Sequence, residues 1–291
     1  MRIVGQPGGA DTPRAGRRPG TLLAMNDRPG PQTFRELITL ERVAADFFVG
    51  QTPHYSWGRV FGGQVVAQAL AAAAATVEKA YRVHSLHAYF VLGGIEGVPI
   101  LLEVDRLRDG RSFMTRRVVA RQSSGAILNL DASFQIEETD VDIQEGGLPP
   151  GLPEPESIAR SEWSGLGDVR EIAPTDGDAR SQLWMRVPED LGDDPTAHAC
   201  ALAYLSDHNA MDAIMLSHPA KPDWEAMMSA SLDHAVWFHR PVRADDWLLM
   251  DLTGHGLIRT RGLATGHVFD RAGVHIATIA QEGLLRPKKS S

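Results

Sequence analysis

The chain has 291 residues, 43% of them hydrophobic and 23% charged, which suits one large or two modest globular domains. Its formal net charge of -8 argues against general nucleic-acid binding, and a substrate that carries phosphates would need a local basic patch. The single cysteine, Cys200, excludes an internal disulfide and a cysteine-rich zinc site and favours a reducing, cytoplasmic compartment, and no apolar run reaches the roughly 18–20 residues that span a bilayer.

Residues 1–30 are rich in Gly, Pro and Arg and show no hydrophobic periodicity, so we predict a disordered N-terminal extension. This segment lacks the apolar core of a secretory signal. Met25 stands just before the first segment with a structured pattern. We therefore expect Met25 to be the natural start and residues 1–24 to be an upstream extension.

The first half of the chain predicts one long helix followed by strands. A short helical segment and a strand over 43–49 come first. The run F-G-G-Q-V-V-A-Q-A-L-A-A-A-A-A at 61–75 predicts a helix whose two glycines allow close approach at its N-terminus. Turn signals such as Asp109-Gly110 separate the four predicted strands near 82–91, 99–107, 112–122 and 126–137.

The second half repeats this order of elements. Residues 139–180 are acidic and contain L-P-P-G-L-P-E-P-E-S at 148–157, which predicts a linker. A short strand over 183–187 and a helix over 197–215 follow it, and D-R-A-G at 270–273 predicts a hairpin turn. The remaining predicted strands lie near 230–239, 246–254, 258–269 and 274–285.

The two halves are also similar in their residues. H-A-Y-F at 87–90 is similar to H-A-V-W-F at 234–238, and Gln135 and Gln281 follow at nearly the same distance. A strand, a central helix and four antiparallel strands, present twice, predict an α+β fold of the tandem (double) hotdog type, with two antiparallel sheets that each wrap a central helix. We place the N-terminal module at 31–138 and the C-terminal module at 181–291.

Three other kinds of site find no support in the sequence. His84 and His87 are three residues apart in a predicted strand, which puts them on opposite faces and argues against a metal pair, and the same objection applies to His234 and His239. The glycines at 62–63 are not followed by G-K-[ST], so close packing of helix against sheet explains them better than a phosphate loop. The chain has no G-x-S-x-G elbow, which argues against an α/β-hydrolase.

Six segments between about residue 35 and residue 287 resemble the acyl-CoA thioesterase II family. They are F-G-G-Q-V-V-A-Q-A-L at 61–70, V-H-S-L-H-A-Y-F at 83–90, R-D-G-R-S-F at 108–113, A-S-F-Q at 132–135, W-F-H-R-P at 237–241 and Q-E-G-L-L-R at 281–286. The resemblance implies a double hotdog fold and hydrolysis of fatty acyl-CoA to a free fatty acid and CoA. One departure, V-L-G-G at 91–94 in place of the family's usual Pro-Gly pair, affects a loop.

The resemblance also implies that Asp207, Ser231 and Gln281 hold an attacking water without a metal or cofactor. Asp207 can accept the proton of that water as a general base, while Ser231 and Gln281 fix its position. If Asp207 lies near the start of the second helix, free backbone N–H groups there can stabilise the developing oxyanion. Gln64 takes the place of Asp207 in the first module and has no carboxylate, so we expect that module to be catalytically silent.

Three alternatives to this interpretation follow from the same residues. Asp207 before a helix can serve only as an N-cap. A hotdog enoyl-CoA hydratase resembles D-x-N-x-x-H, and here Asp212 stands where the His is needed. A non-catalytic acyl-CoA-binding protein is the third alternative.

For partners, we expect the acyl-CoA substrate, a homodimer or homotetramer, no nucleic acid and no membrane. Six arginines are unranked candidates for binding the CoA phosphates: Arg59, Arg116, Arg117, Arg259, Arg261 and Arg286.

Overall fold

The computed structural model of the protein describes residues 30–55, 58–162, 165–175 and 177–288. The expectations of a disordered extension and of a start at Met25 concern residues that lie outside this description. Among the described residues, no helix is long and apolar enough to cross a membrane.

The elements alternate in the order that the sequence predicts, with several differences in their bounds. The α-helices of the described residues are α1 (Phe34–Ile38), α2 (Gly62–Ala74), α3 (Pro195–Leu205) and α4 (Ala210–Leu216). The strands are β1 (Glu41–Ala44), β2 (Phe47–Gly50), β3 (Tyr81–Phe90), β4 (Ile100–Asp109), β5 (Phe113–Gln122), β6 (Gly125–Ile136), β7 (Asp168–Ile172), β8 (Arg180–Arg186), β9 (Met227–Ser231), β10 (Asp233–Phe238), β11 (Leu248–Ile258), β12 (Arg261–Asp270) and β13 (His275–Pro287).

These strands form one sheet, with the order β1-β2-β4-β5-β6-β3-β10-β13-β12-β11-β8-β7 and with β9 paired to β13. Every neighbouring pair is antiparallel. The two halves meet where β3 pairs with β10, and Leu86 lies opposite Val236 there. The two predicted sheets are therefore joined edge to edge, and this pairing satisfies backbone groups that an isolated half would expose.

Helices pack against both halves of the sheet. Helix α2 contacts β2–β6, and α4 contacts β8, β9 and β11–β13. Helix α3 lies between the halves and contacts both α2 and β8. Most of α2 is buried because its small side chains, such as Ala69 and Ala73, let the helix approach its neighbours closely.

The helix predicted over 61–75 and most of the strands are confirmed, and two predicted strands are wrong in detail. The segment 43–49 is not one strand, since β1 and β2 form a hairpin around a turn at Ala45-Asp46. The segment 230–239 is divided at Leu232 into β9 and β10. The structure also places β7, paired with β8, inside the segment predicted as a linker.

The single helix predicted over 197–215 is wrong, because the chain leaves the helix at Ser206 and re-enters it at Ala210. Asn209 has a φ of 59°, a left-handed conformation that asparagine adopts more readily than most residues. The break therefore ends α3 and starts α4 in a new direction. It leaves Asp207 in a short non-helical segment between the two helices.

Candidate active site

Asp207 lies where the two halves of the protein meet. It comes three residues before the start of α4, and its carboxylate faces the N-terminus of α2, the helix of the first half. A Cβ on Gly62 would lie 2.6 Å from Asp207 Oδ2, and the Gly63 N–H donates a hydrogen bond to this carboxylate. The first half of the chain, which the sequence predicts to be catalytically silent, therefore contributes a backbone N–H group that contacts Asp207.

The two glycines at 62–63 were predicted to let a helix pack closely on the sheet. In the structure they instead let the start of α2 pack against the segment that contains Tyr204 and Asp207. A Cβ on Gly63 would lie 2.3 Å from the backbone oxygen of Tyr204, at the end of α3. Only glycine, which has no Cβ, therefore lets the start of α2 approach the segment that contains Asp207 this closely. The Phe90 ring of β3 is also close, since it would lie 2.8 Å from the same Cβ on Gly62.

Gln281 links the other two predicted residues. It is fully buried in β13, and its Nε2 donates a hydrogen bond of 2.7 Å to Oγ of Ser231 at the end of β9. The Gln281 side chain also donates toward Asp207 and lowers the pKa of that carboxyl. The structure therefore brings Asp207, Ser231 and Gln281 together, although 74 residues separate the first from the last.

Burial raises the pKa of Asp207 to about 7, while the hydrogen bonds from Gly63 and Gln281 oppose the rise. Asp207 Oδ1 is buried and accepts no hydrogen bond from any described residue. A carboxylate with a raised pKa is a stronger base than one in water, and an oxygen with unused acceptor capacity can receive a proton. The N-terminus of α2 favours the ionised form of the same group.

His234 is a further residue of the site, and no pattern in the sequence indicated it. Its Nδ1 lies 2.6 Å from Gln281 Oε1, and its Nε2 lies 2.8 Å from Ser206 Oγ. Burial lowers the pKa of His234 to about 4, so the ring is neutral near pH 7. Ser206, His234 and Gln281 are all fully buried.

A β-bulge places Ser231 and His234 on the same side of the sheet. Ser231 pairs with Gly283 and Ala235 pairs with Ala280, so this strand has one residue more than β13 over the same stretch. Residues three apart in a regular strand face opposite ways, yet both Ser231 and His234 contact Gln281. The alternation of a regular strand therefore does not hold between Ser231 and His234.

The residues of the first half that correspond to the site by the repeat are arranged differently. Gln64 is buried, and its Nε2 contacts the Gln51 carbonyl and Gln68 Oε1 at 3.5 and 3.4 Å. Gln135 is half-buried and donates to Glu138. Neither glutamine has a carboxylate in the position of a base.

The candidates for phosphate binding are reduced by one. Arg116 is 1% exposed and donates to Thr76, Asp109 and the Arg108 carbonyl, so it serves the packing of the first half. Two more of the six arginines are paired with carboxylates, Arg117 with Asp131 and Arg261 with Glu282. The other three, Arg59, Arg259 and Arg286, are exposed. No group of three His, Cys, Asp or Glu side chains that could hold a metal occurs among the described residues.

Comparison with known proteins covers most of the chain. Residues 156–284 match the family model described as acyl-CoA thioesterase, and residues 52–135 match the model of the acyl-CoA thioesterase N-terminal domain. Acyl-coenzyme A thioesterase 8 of Mus musculus is 35% identical, with 87% of this chain and 88% of the relative covered.

Solved structures give the same result. The acyl-CoA thioesterase II TesB2 of Mycobacterium marinum has a TM-score of 0.77 and 37% identity over 88% of this chain and 99% of that one. A protein of unknown function with a hot dog fold from Alicyclobacillus acidocaldarius has a TM-score of 0.72 over 88% of this chain and 98% of that one, and at 22% identity it shows the fold alone.

Proposed function

This chain belongs to the acyl-CoA thioesterase II family and is an acyl-CoA thioester hydrolase, and on that premise we propose that Asp207, Ser231 and Gln281 are its catalytic residues. The reaction splits fatty acyl-CoA into a free fatty acid and CoA. The observation that carries the assignment is the contact of the buried Gln281 side chain with both Ser231 and Asp207.

Asp207 acts as the general base. It accepts a proton from a water molecule at Oδ1, the acceptor that no described residue uses, while the water oxygen attacks the thioester carbon. Ser231 and Gln281 hold the water so that one of its lone pairs points at that carbon. The tetrahedral intermediate then collapses with cleavage of the C–S bond, and the CoA thiolate leaves and takes up a proton.

Backbone N–H groups at the N-terminus of α2 are the donors that we propose for the developing oxyanion. The helix has no side-chain N-cap at Phe61, and its first residues lie against Asp207. Backbone donors at a helix start are aligned with the helix dipole and need no reorganisation during the reaction. This assignment moves the oxyanion donors from the second helix, where we had expected them, to the helix of the first half.

The rate of hydrolysis is expected to depend on the ionisation of Asp207. Its raised pKa of about 7 means that the carboxylate, which is the active form, is the minor species below that value. We expect kcat to rise with pH between 5 and 8 and then to level off, with a midpoint near 7. Initial rates at saturating acyl-CoA in a series of buffers at constant ionic strength measure this profile. A rate that is flat from pH 5 to pH 8 would count against Asp207 as the base.

The first test of the proposed function is thiol release from a panel of saturated acyl-CoAs by the wild-type protein. Hydrolysis of at least one chain length supports the proposal and gives the length preference directly. An enoyl-CoA incubated in parallel detects hydration. If the protein hydrates the enoyl-CoA and hydrolyses none of the panel, the proposed function is wrong.

The hydratase alternative gains no support from the surroundings of Asp212. This half-buried residue on α4 interacts with Glu171 and Trp224, and burial is the main cause that raises its pKa to about 6. A neutral or anionic carboxyl replaces the histidine that such an enzyme needs at this position. The non-catalytic alternative would leave the hydrogen-bonded set of Asp207, Ser231 and Gln281 without a role.

The finer architecture is proposed on the same basis. We propose a double hotdog with modules at 31–138 and 181–291, in which α2 and α4 are the central helices, since each packs against its own half of the sheet.

The sheet ends at β1 and β7, and hotdog proteins usually bury a sheet edge or face between subunits. A homodimer or homotetramer is therefore proposed. The buried free thiol of Cys200 is in keeping with a cytoplasmic location.

A further inference from the structure

We propose that His234 is a positioning residue that fixes the orientation of the Gln281 side-chain amide, with its NH2 group turned toward Asp207 and Ser231. This inference rests on the proposed function, because it concerns how the same site is held ready. It starts from a continuous hydrogen-bonded row of side chains in the core. The row runs from Ser206 through His234 and Gln281 to Ser231, with distances of 2.8, 2.6 and 2.7 Å.

The row admits only two consistent arrangements of its protons. In the first, His234 donates from Nδ1 to Gln281 Oε1, and both N–H groups of Gln281 face the site. In the second, the amide is turned by 180°, its NH2 group faces His234, and its oxygen faces the carboxylate of Asp207. A neutral imidazole has one donor and one acceptor nitrogen, so the protonated nitrogen of His234 decides between the two.

The contacts favour the first arrangement. The structure has the Gln281 amide in this orientation, with Nε2 at 2.7 Å from Ser231 Oγ and turned toward Asp207. The turned amide would instead set its oxygen lone pairs against an anionic carboxylate. It would also offer two N–H groups to the single acceptor nitrogen of His234.

Ser206 completes the arrangement on the other side of the ring. With the proton on Nδ1, His234 Nε2 must accept. The Ser206 hydroxyl lies 2.8 Å from Nε2 and 3.1 Å from the Ala203 carbonyl oxygen, so in this arrangement its one proton turns toward the shorter contact, the ring. Ser206 is the residue at which α3 ends, so the break that leaves Asp207 outside the helices also supplies the hydroxyl that faces His234 Nε2. His234 therefore contacts Ser206 at the helix break and also lies in the β-bulge.

The role of His234 is one of position, since Gln281 stands between it and Asp207. Without a donor at Nδ1, the buried oxygen of Gln281 loses its partner and the amide is free to turn. A site residue that is misplaced by about 1 Å costs roughly 10²-fold in rate. The loss should fall on kcat, because His234 is fully buried and acts through Gln281.

The test compares His234→Leu with His234→Asn in the full-length protein. The asparagine side-chain nitrogen occupies nearly the place of Nδ1 and can donate to Gln281, whereas leucine cannot. We expect His234→Leu to lower kcat by about 10²-fold with little change in KM, and His234→Asn to restore most of that loss. A leucine variant with wild-type kcat, or an asparagine variant as slow as the leucine variant, would overturn the proposal.

A double-mutant cycle separates positioning from general damage to the fold. In the Gln281→Ala background, His234→Leu should cause no further loss of kcat, because the amide that it positions is absent. Equal losses in both backgrounds would overturn the proposal. His198→Leu is the matched control, since His198 is also buried but contacts Gly192 and Ala244 near the opposite end of α3. It should lower the Tm and leave kcat unchanged.

The tautomer can be measured without an activity assay. In a ¹H–¹⁵N long-range spectrum of histidine-labelled protein, the signal missing from His234→Asn identifies the ring. A proton on Nδ1 supports the proposal, and a proton on Nε2 overturns it. Wild-type hydrolysis that Asp207→Asn abolishes would uphold the proposed function whichever tautomer is found, so the two failures are distinguishable.

Discussion

Asp207→Asn is expected to lower kcat for acyl-CoA hydrolysis by about 10²–10⁴-fold, the usual contribution of a general base. Asparagine keeps the size and shape of the side chain but cannot take a proton from water. Its amide can still lie beside Gly63 and Gln281, so KM should change little. Thiol release at saturating substrate measures the effect, and a loss of less than threefold would return Asp207 to the role of a structural residue.

The same substitution should stabilise the protein at alkaline pH. The pKa of Asp207 is about 7 in the folded protein, against an ordinary value of 3.8 for an aspartate carboxyl. Between these values the folded state holds a proton that the unfolded state has released, so folding stability contributed by this group falls as pH rises toward 7. Asparagine removes that dependence. We expect the Tm difference between Asp207→Asn and the wild type to be larger at pH 8 than at pH 4, which thermal unfolding at the two pH values measures.

Asp212→Asn is the matched control for both effects. Asp212 is another half-buried carboxyl with a raised pKa, and it lies on α4 outside the hydrogen-bonded row. The Asp212→Asn variant should gain stability relative to the wild type with rising pH as the Asp207→Asn variant does, but it should keep the wild-type kcat. If both variants lose activity to the same degree, the cause is the replacement of any partly buried carboxyl in this part of the protein by an amide. That result would contradict the assignment of Asp207 as the base.

Gly62→Ala is expected to lower kcat by about 10²-fold although the residue belongs to the first half of the chain. A methyl group here would lie 2.6 Å from Asp207 Oδ2 and 2.8 Å from the Phe90 ring, so one of these groups must move. Alanine in a helix is ordinarily more favourable than glycine by about 0.5–1 kcal/mol. A loss of activity would therefore come from the contact with Asp207, because helix propensity acts in the opposite direction.

The measurement compares Gly62→Ala with Gly93→Ala, whose added methyl group would meet no atom within 4 Å. The Gly93 variant should retain wild-type activity and Tm. A change in kcat for Gly62→Ala together with a preserved far-UV spectrum would support a site shared by the two halves. Wild-type kcat in Gly62→Ala would show that Asp207 tolerates displacement and that the N-terminus of α2 has no part in the reaction.

Local patterns accounted for most of the secondary structure. Alternating apolar residues, with turn residues between them, predicted most of the strands, and the alanine-rich run predicted α2. These predictions hold because side-chain periodicity and turn conformation depend on residues close in sequence. The choice of Asp207, Ser231 and Gln281 came from the resemblance to a family. Nothing in the periodicity around Ser231 or Gln281 would have singled them out.

The sequence by itself therefore determined the elements, the repeat and the family. Tertiary structure alone decided the pairing of β3 with β10, the helix break that frees Asp207, and the bulge that turns His234 toward Gln281. Each of these depends on contacts between residues far apart in the chain, such as Gly62 with Asp207, and such contacts leave no periodic trace in the residues on either side. For that reason the resemblance to a family could propose Asp207 as the base, whereas no pattern in the sequence indicated the helix start and the histidine beside it.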